Sequence, residues 1–443
     1  MSVLRAEAGS RLRQLPPLAR RLARATARVS TQDPRHLLAR PEVTLLRARV
    51  TGKLRVAGHV DAEMTKALDP RISVHHDVIS IPLAPGRDRD LRGGLVDSGT
   101  LRLVDPAVLR SGSEWRQEDP VDERSALNRE LQSERRVPVV YGGVLFSHFG
   151  HLMLESLGRL WAYEHLRHLD PYIAFHEGFG RVDWSDQRTV AHQVLRGVGI
   201  PLDRVLLLSR PVRLAQALVP TQLYGYGFSS NPDQTFVEHM RRFTFPRTVP
   251  DGFAGVKRVY VSRSGLPDGF GRPIGETLFE DYLRGQGYAI FHPQRYSLHE
   301  QLTVYSAADE LIFCDGAALH GCVLLPDLAA RVAVVSRRHD PRWDGSGIVD
   351  QFRGYGQDAT WIDAVRYQYQ FGLESWDARS FVDWYDVSTT LVEHGFTDTA
   401  FDAFRAVDTT KLVATELHDY VRAIRDDPRF THYLMQLRTK PVR

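Results

Sequence analysis

The chain has 443 residues, of which 43% are hydrophobic and 25% charged, a composition typical of globular proteins and long enough for two domains. Its net charge of +3 is too small to indicate a nucleic-acid partner, and its two cysteines, Cys314 and Cys322, exclude a disulfide framework and a cysteine-rich zinc site. No apolar run approaches the ~20 residues of a membrane span, and no apolar signal-peptide core follows the basic N-terminus, so we expect a cytoplasmic protein.

Residues 1–40 form a basic N-terminal segment, in which leucines interleave with arginines and Glu7 is the only acid among the first 30 residues. This pattern favours a loosely ordered basic tail, because chain termini are commonly poorly ordered. The alternative is a peripheral contact with anionic lipid, or with a membrane-bound partner, at the inner face of the cell membrane. The arginines among the first 30 residues are Arg5, Arg11, Arg13, Arg20, Arg21, Arg24 and Arg28.

Residues 41–245 carry the pattern of a first α/β domain. Strands and helices alternate in its second part, which indicates βαβ units and a parallel sheet. The predicted strands are Val43–Arg49, Leu54–Val56, Val78–Pro82, Tyr172–Phe175 and Arg204–Leu208, and the predicted helices are His151–Glu164 and Asp186–Gly197.

A stretch rich in proline and glycine, Phe245–Gly255, is the predicted linker to a second domain over residues 246–365. Strands and helices alternate again from Val259 to Val335. Residues 366–443 are predicted to be a mostly helical extension, with the clearest helix at Thr410–Ile424. The predicted fold class is therefore α/β, with two Rossmann-type domains facing across a cleft and a helical C-terminal extension.

The most informative stretch of the second domain begins at Ser297. Ser297 and Glu300 predict a capped helix that ends near Ala308, and the apolar run Leu311–Cys314 predicts a strand after it. Small residues then turn the chain into a second helix. They are Asp315, Gly316, Ala317 and Ala318, followed by Leu319.

Such a turn brings backbone N–H groups close to an anion, and the helix dipole favours a phosphate there. In a parallel sheet this turn would also lie at the carboxyl ends of the strands, where ligands bind. The backbone of Ala317–Leu319 is therefore a predicted phosphate site. An ordinary strand–helix turn is the alternative.

Upstream, Lys257–Gly265 predicts a strand that delivers Arg263 at its end, and a glycine-punctuated loop with Arg272 and Glu276 follows. A guanidinium group offers a planar fork of donors that fits phosphate oxygens. We therefore predict that Arg263 and Arg272 bind the same phosphate group. The alternative is that they are surface residues, because arginines are usually exposed and the chain has many.

Three polar residues of the first domain, His151, Glu155 and Arg159, are spaced by four and would share one face of the predicted helix. Their neighbours are mostly apolar, so the helix should be largely buried, and each polar group then needs a partner or a wet cleft. We predict that the stripe lies on a cleft wall, with His148 in the preceding loop. A polar seam satisfied within the protein is the alternative.

Two short patterns resemble metal sites, but neither predicts one. Asp88-Arg89-Asp90 follows a Pro-Gly pair in a loop instead of ending an apolar strand. His75-His76-Asp77 has no further ligands at a recognisable spacing, although zinc needs three or four. We therefore expect no metal ion in the site.

The order of these motifs resembles glycosyltransferase family 61. The C-terminal match is an Arg…Arg…Glu element, a Glu-Gln at a helix start and a Gly-Ala-x-Leu turn; the N-terminal match is VVYGGVLFSHFGHLMLESLGRLW at residues 139–161. Together they cover roughly residues 137–340. The chain departs from the family at Gly275, where Asn is frequent, and at His320-Gly321, where Thr or Ser followed by Asn is frequent.

The resemblance implies an inverting, metal-independent glycosyltransferase of GT-B-like architecture. Its donor would be a nucleotide-sugar, with uridine diphosphate as the family-level expectation, and no other cofactor is expected. Its acceptor would be a saccharide or a glycolipid. Relatives that resemble this sequence act in capsular or extracellular polysaccharide assembly at the inner face of the membrane.

The resemblance also implies roles for the residues. His151 is the candidate base and Glu155 would orient it; the reverse assignment stays open, and His148 in the same loop is a third candidate. Glu300 would lie near the nucleotide ribose or only cap its helix, and Asp315 would meet sugar or ribose hydroxyls. The supporting residues are His148, Arg159, Glu276 and His320.

Two other classes of protein remain as alternatives. A different GT-B enzyme, such as a nucleotide-sugar epimerase or hydrolase, would use the same phosphate turn without an acceptor. A non-catalytic carbohydrate-binding scaffold would keep the cleft without the chemistry.

Overall fold

The computed structural model describes residues 47–49, 70–85, 91–109, 117–118, 134–135, 137–178, 182–225, 231–339, 345–369 and 377–425. Several features named above lie wholly or partly outside the described residues: the basic segment 1–40, residues 43–46 of the predicted strand Val43–Arg49, the predicted strand Leu54–Val56, Asp88-Arg89-Asp90, and residues 370–376 and 426–443 of the predicted extension.

The strands of the described residues belong to three sheets. In chain order they are β1 (Arg47–Arg49), β2 (Ile72–Pro85), β3 (Leu91–Asp97), β4 (Gln117–Glu118), β5 (Glu134–Arg135), β6 (Val139–Leu145), β7 (Tyr172–Glu177), β8 (Val205–Leu207), β9 (Val212–Pro220), β10 (Arg258–Val261), β11 (Arg272–Ile274), β12 (Ala289–Phe291), β13 (Glu310–Cys314), β14 (Arg331–Val335), β15 (Ala359–Ile362), β16 (Val365–Tyr369) and β17 (Arg379–Val382).

The α-helices are α1 (Phe149–His151), α2 (Trp161–Leu166), α3 (Val190–Gly197), α4 (Gln234–Met240), α5 (Glu276–Gly285), α6 (Leu298–Ala307), α7 (Ser346–Gly354), α8 (Trp384–Glu393) and α9 (Thr409–Arg425). A π-helical turn covers Leu152–Ser156, and 3-10 helices cover Asp105–Ala107, Arg167–Leu169, Leu202–Arg204, Pro293–Arg295, Ala317–Leu324 and Asp402–Ala406. Among the described residues, side-chain oxygens cap five helix starts, since each accepts a bond from a backbone N–H of the first turn. These N-caps are Thr189, Asp233, Ser297, Asp383 and Asp408.

The first sheet is mixed. Its strand order is β4-β3-β2-β9-β6-β7-β8, with β5 also beside β9. The strands β6, β7 and β8 pair in parallel, which confirms the predicted βαβ pattern in this part. However, β2 is antiparallel to both β3 and β9. The pair with β3 is local, since β3 follows β2 directly and short connections join antiparallel strands. The predicted parallel sheet is thus extended by an antiparallel part.

The second sheet is entirely parallel, with strand order β12-β10-β13-β14-β15. Side chains of β10, β13 and β14 alternate between two buried clusters, one on each face of the sheet. Both faces are therefore covered, which explains why these strands read as continuous apolar runs. The predicted alternation from Val259 to Val335 is confirmed, and β15 adds a strand that the sequence pattern did not reveal.

The third sheet has the order β1-β16-β17-β11 and includes residues that were predicted to be helical. The extension over 366–443 contains part of β16 and all of β17 besides α8 and α9, so its prediction as mostly helical is incomplete. The helix Thr410–Ile424 is confirmed as α9. These strands were missed because they are only four or five residues long and pair with β1 and β11 from distant parts of the chain.

The largest apolar cluster joins the two halves of the chain. Leu152 and Met153, after α1, pack in the same buried cluster as Leu298 and Leu302 of α6 and Val323 of the 3-10 helix. This shared core fixes the start of α1 against the carboxyl edge of the parallel sheet. This packing brings together the candidate site residues that the sequence placed in the two halves of the chain.

Candidate active site

The carboxyl ends of β10 and β13 lie side by side at the point where the strand order of the parallel sheet reverses, since β12 lies beyond β10 and β14 lies beyond β13. In doubly wound sheets, ligands bind in the crevice outside such a point. Arg263 comes two residues after β10, and Asp315-Gly316 follows β13 directly. The predicted phosphate turn and the predicted phosphate-binding arginine therefore meet at this edge.

Arg263 lies across the backbone of Gly316. Its Nε and Nη2 both donate to the carbonyl oxygen of Gly271, at 3.0 and 2.8 Å. A Cβ atom at position 316 would overlap with Nη1 of Arg263. Glycine at 316 is therefore required for the close approach of this guanidinium group to the turn.

The backbone of Arg263 is held by a buried carboxylate. Oε1 of Glu276 accepts bonds from the Arg263 backbone N–H and from the Tyr260 hydroxyl, both at 2.9 Å. Burial raises the pKa of Glu276, against the effect of these bonds. Glu276 thus acts as a brace at the end of β10, in the first turn of α5.

Arg272 braces the loop that joins β10 and β11. Its Nη1 donates to the carbonyl oxygens of Ser264 and Leu266, at 2.8 and 3.0 Å, and its Nη2 binds Asp268 at 2.8 Å. Arg379, which is fully buried on the neighbouring strand β17, also donates to the backbone oxygen of Asp268. These bonds hold the guanidinium group of Arg272 against its own loop. The binding of a phosphate by Arg272 stays a prediction.

Two further arginines lie beside the turn. The Nε of Arg337 donates to the carbonyl oxygen of Asp315 at 2.9 Å, and the Nε of Arg338 lies 3.4 Å from Oδ2 of Asp315, a distance typical of an ion pair. Burial, together with the charges of Arg263 and Arg338, lowers the pKa of Arg337 to about 9. We call Arg263, Arg337 and Arg338 the arginine cluster.

The arginine cluster gathers three positive charges around the turn at Asp315 and Gly316, at the carboxyl edge of the sheet. The Oδ2 atom of Asp315 is buried and makes no hydrogen bond to any described residue. An anion with several oxygens would balance the excess positive charge. Sequence reasoning missed Arg337 and Arg338, although the pair directly follows the last strand of the predicted series and could have been found by that position.

The turn continues as a 3-10 helix, Ala317–Leu324, where an unspecified helix was predicted. Gly316, Ala317 and Ala318 are partly exposed, whereas Leu319 is buried. A Cβ atom built on Gly150 would lie 3.5 Å from the Cβ of Ala317, so α1 begins directly against this helix. The two sequence motifs are in contact.

His151, at the end of α1, forms a pair with Glu155. The distance from His151 Nδ1 to Glu155 Oε2 is 3.2 Å, and the exposed fractions of the two side chains are 32% and 1%. The ring of His148 is centred 5.1 Å from that of His151, and burial together with His151 lowers the pKa of His148. An accessible imidazole with a buried carboxylate behind it can exchange a proton with a ligand.

The predicted helix His151–Glu164 is wrong as a single helix, because the chain passes from α1 into the π-helical turn and then a further turn before α2. Residues spaced by four share a face only in a regular α-helix. Arg159, in the turn, instead donates to the carbonyl oxygens of Pro220 and Val108. Arg159 thus braces the first sheet, and the predicted stripe is limited to His151 and Glu155.

Glu300 and His320 have defined partners. Oε2 of Glu300 accepts bonds from the backbone N–H and hydroxyl of Ser297, at 2.8 and 2.7 Å, so the predicted capping box is confirmed. The Nδ1 of His320 lies 3.0 Å from Oε1 of Gln351, and burial lowers the pKa of His320 to about 4. His320 is also close enough to His151 and Asp315 for their charges to affect it.

Within the described part of the chain, no three His, Cys, Asp or Glu side chains converge closely enough to hold a metal ion. None of the helices in the described ranges is both long and apolar enough to cross a bilayer. A cavity of about 310 Å³ opens between the amino ends of β14 and β15. It lies on the edge of the sheet opposite to the arginine cluster and is not part of the candidate site.

The sequence model of one protein family, described as Glycosyltransferase 61, matches residues 149–332. The matched segment contains His151, Glu155, Arg263 and the turn at Gly316, and it ends before Arg337 and Arg338. No curated protein sequence matches the chain at a significant level.

Proposed function

Because residues 149–332 belong to glycosyltransferase family 61, we propose that the protein transfers a sugar from a nucleotide-sugar to a saccharide or glycolipid acceptor, with inversion at the anomeric carbon. The observation that carries this proposal is the contact between the two motifs. His151 is the last residue of α1, which contacts the 3-10 helix that begins directly after Gly316. Arg263 lies across Gly316 itself. A proton acceptor and an anion site are therefore neighbours, as a displacement at the anomeric carbon requires.

We assign the base to His151. Its Nδ1 faces the carboxylate of Glu155, so Nδ1 carries the proton and Nε2 is the atom that can take one from the acceptor hydroxyl. The acceptor oxygen then forms the new bond to the anomeric carbon while the bond from that carbon to the diphosphate oxygen breaks. Glu155 is almost fully buried, which suits an orienting role better than contact with an acceptor.

The leaving diphosphate would be bound by the arginine cluster and by the backbone N–H groups of Ala317, Ala318 and Leu319. Guanidinium groups that are already positioned stabilise negative charge as it develops on the leaving oxygens. We propose that these guanidinium groups supply the compensating positive charge without a metal ion. Arg272 would contribute at the rim of the same site, and Asp315 would meet sugar or ribose hydroxyls.

We further propose a GT-B-like arrangement, in which residues 41–245 bind the acceptor and residues 246–365 bind the donor. The support for it is the reversal of strand order in the parallel sheet, next to the contact with α1. The nucleotide would be uridine diphosphate, and Glu300, besides capping α6, would lie toward its ribose. The proposed setting is capsular or extracellular polysaccharide synthesis at the cytoplasmic face of the membrane, with residues 1–40 as the membrane contact.

The experiment that tests the proposal measures the thermal stability of the purified protein with UDP, GDP, CDP and ADP, each with and without EDTA. A ligand at ~100 times its dissociation constant adds about 2.7 kcal/mol to the free energy of unfolding. We expect one nucleotide to raise the melting temperature regardless of EDTA. This increase should persist in His151→Ala and be smaller, but still measurable, in Arg263→Met.

Transfer of a radiolabelled sugar to a saccharide acceptor is the second readout. No response to any nucleotide would contradict the proposal. A response that needs a metal ion would contradict the metal-free mechanism and direct attention to Asp88 and Asp90. Release of free sugar without transfer, with acceptors present, would favour a hydrolase.

A further inference from the structure

His320 and Gln351 form a buried pair beside the candidate site. His320 belongs to the 3-10 helix after Gly316, and Gln351 belongs to α7. Gln351 is almost fully buried, and 9% of the surface of His320 remains accessible. An imidazole that is fixed by a buried partner and keeps a small accessible surface can meet a ligand.

The hydrogen bond to Gln351 sets the tautomer of His320. An amide oxygen only accepts hydrogen bonds, so Oε1 of Gln351, at 3.0 Å, places the proton on Nδ1. Nε2 then presents a lone pair. Burial, the largest influence, lowers the pKa of His320 to about 4, so the ring is neutral at ordinary pH and Nε2 is a hydrogen-bond acceptor.

His320 lies near both of the groups to which the proposed function gives roles in the reaction. It belongs to the 3-10 helix that follows Gly316 and contacts α1, and the charges of His151, Asp315 and Arg338 act on its ring. In the proposed reaction the transferred sugar lies between the base and the leaving diphosphate. The group that His320 meets is therefore a part of that sugar, and sugars carry hydroxyl groups that can donate to a lone pair.

We propose that Nε2 of His320, fixed by Gln351, accepts a hydrogen bond from a hydroxyl group of the transferred sugar and so determines which sugar is bound. This inference rests on the proposed function. It adds a specificity-determining residue whose effect falls on the sugar and not on the nucleotide. Gln351 is a positioning residue, because it acts through His320.

The test compares two dissociation constants, measured by calorimetry on the full chain. The first is that of the nucleoside diphosphate that stabilises the wild-type protein among UDP, GDP, CDP and ADP. The second is that of the same diphosphate linked to glucose, galactose or N-acetylglucosamine, whichever binds most tightly. The variants are His320→Leu, His320→Asn, which keeps an acceptor oxygen, and Gln351→Leu. His394→Leu is the control, since His394 is exposed at the end of α8.

We expect His320→Leu to weaken binding of the nucleotide-sugar about three- to tenfold, the range of one neutral hydrogen bond, and to leave binding of the diphosphate unchanged. His320→Asn should recover part of this loss, Gln351→Leu should show an intermediate loss, and His394→Leu should show none. We also expect a difference among analogues of the nucleotide-sugar that each lack one sugar hydroxyl. One of them should bind the wild-type protein more weakly than the complete nucleotide-sugar does. The same analogue and the complete nucleotide-sugar should bind His320→Leu with equal affinity.

Equal weakening of both ligands in His320→Leu would overturn the inference, because it would indicate a structural role. An unchanged nucleotide-sugar affinity in that variant would overturn it as well. The inference would also fail if removal of each sugar hydroxyl weakened binding to the wild-type protein and to His320→Leu by the same factor. These outcomes leave the proposed function standing. Failure of all four diphosphates to bind the wild-type protein would instead remove the proposed function, and this inference with it.

Discussion

The two sides of the candidate site are built differently. On the side of the parallel sheet, positive charge is spread over the arginine cluster, and each guanidinium group is held by backbone oxygens or by Asp315. On the side of α1, the proposed chemistry depends on one imidazole that is about one-third exposed. A distributed anion site should lose affinity gradually as single residues are changed, whereas a single proton acceptor should fail all at once.

This contrast follows from the physical demands on each side. A diphosphate carries several charges, and a site for it must hold several like-charged groups close together, which requires many supporting hydrogen bonds. A base must reach a mobile acceptor hydroxyl and must remain accessible. His151 is followed by a π-helical turn, and such turns are frequent at functional sites.

The largest expected effect is that of His151→Ala on turnover. We expect kcat to fall by about 10²- to 10⁴-fold, the usual contribution of a general base, with no change in the dissociation constant of the nucleotide. Glu155→Gln should reduce kcat less, because Glu155 orients the ring. Transfer of radiolabelled sugar is the measurement. A variant at His151 that keeps its activity while Glu155→Gln loses it would show that the roles are reversed.

Removal of one member of the arginine cluster should have a smaller, graded effect. We expect Arg263→Met to weaken nucleoside diphosphate binding about ten- to a hundredfold, since a charge-assisted hydrogen bond contributes about 1.5–3 kcal/mol. Arg338→Met should weaken it by a comparable factor. Calorimetric titration is the measurement, and Arg213→Met, an exposed arginine paired with Asp77 on the first sheet, is the control. A complete loss of binding in either single variant would contradict the distributed site.

The same contrast explains what the sequence could predict. The elements of the parallel sheet were predictable, because apolar strands and capped helices such as α6 depend on local pattern. Arg263 and Gly316 were found because each follows a predicted strand. Arg337 and Arg338 follow β14 in the same manner, so the same reasoning applied to β14 would have found them.

Other features could not be predicted, because they depend on contacts between distant parts of the chain. The break in the helix after His151 accompanies packing of Leu152 and Met153 against α6 from the other half. The bonds of Arg159 to Pro220 and Val108 span about 50 or more residues. Spacing by four therefore placed Glu155 correctly, one turn away, and failed at Arg159.

Acid should destabilise the protein, and three histidines from both halves should contribute. Burial lowers the pKa of His176 to about 3, and that of His239 and His320 to about 4. In the unfolded chain they titrate near 6.5. Below that pH the unfolded state binds protons that the folded state does not, so the free energy of unfolding falls as pH falls from about 6.5 toward 4.

Each of these histidines should account for about 2 kcal/mol of the loss between pH 7 and pH 5. Urea unfolding at pH 7 and pH 5 is the measurement. The variant His176→Gln should be less stable at pH 7, because His176 bonds to Ser80 and Tyr141, but should lose less stability on acidification. The matched control is His394→Gln, which replaces an exposed histidine. An unchanged pH dependence in His176→Gln would show that this ring is not held neutral.

The smallest expected effect concerns Gly275, which lies between β11 and α5 on the arginine side and has a φ of +79°. Glycine and asparagine both adopt this left-handed conformation, so the departure from the family's frequent Asn preserves the backbone. Gly275→Asn should therefore change the free energy of unfolding less than Gly275→Val, which we expect to cost at least about 1–2 kcal/mol. Leu412 and Trp384 lie close to a Cβ atom here, so some loss is expected for both variants.

Melting temperature and nucleotide affinity together decide what Gly275 contributes. The Gly275 N–H donates to Glu416 of α9, and Gly275 directly precedes Glu276, which holds Arg263. If the supporting bonds are redundant, Gly275→Asn should retain the wild-type dissociation constant for the nucleoside diphosphate even with a slightly lower melting temperature. A loss of affinity larger than that of Arg263→Met would mean that this backbone position controls the whole anion site, and that the site is less distributed than its hydrogen bonds indicate.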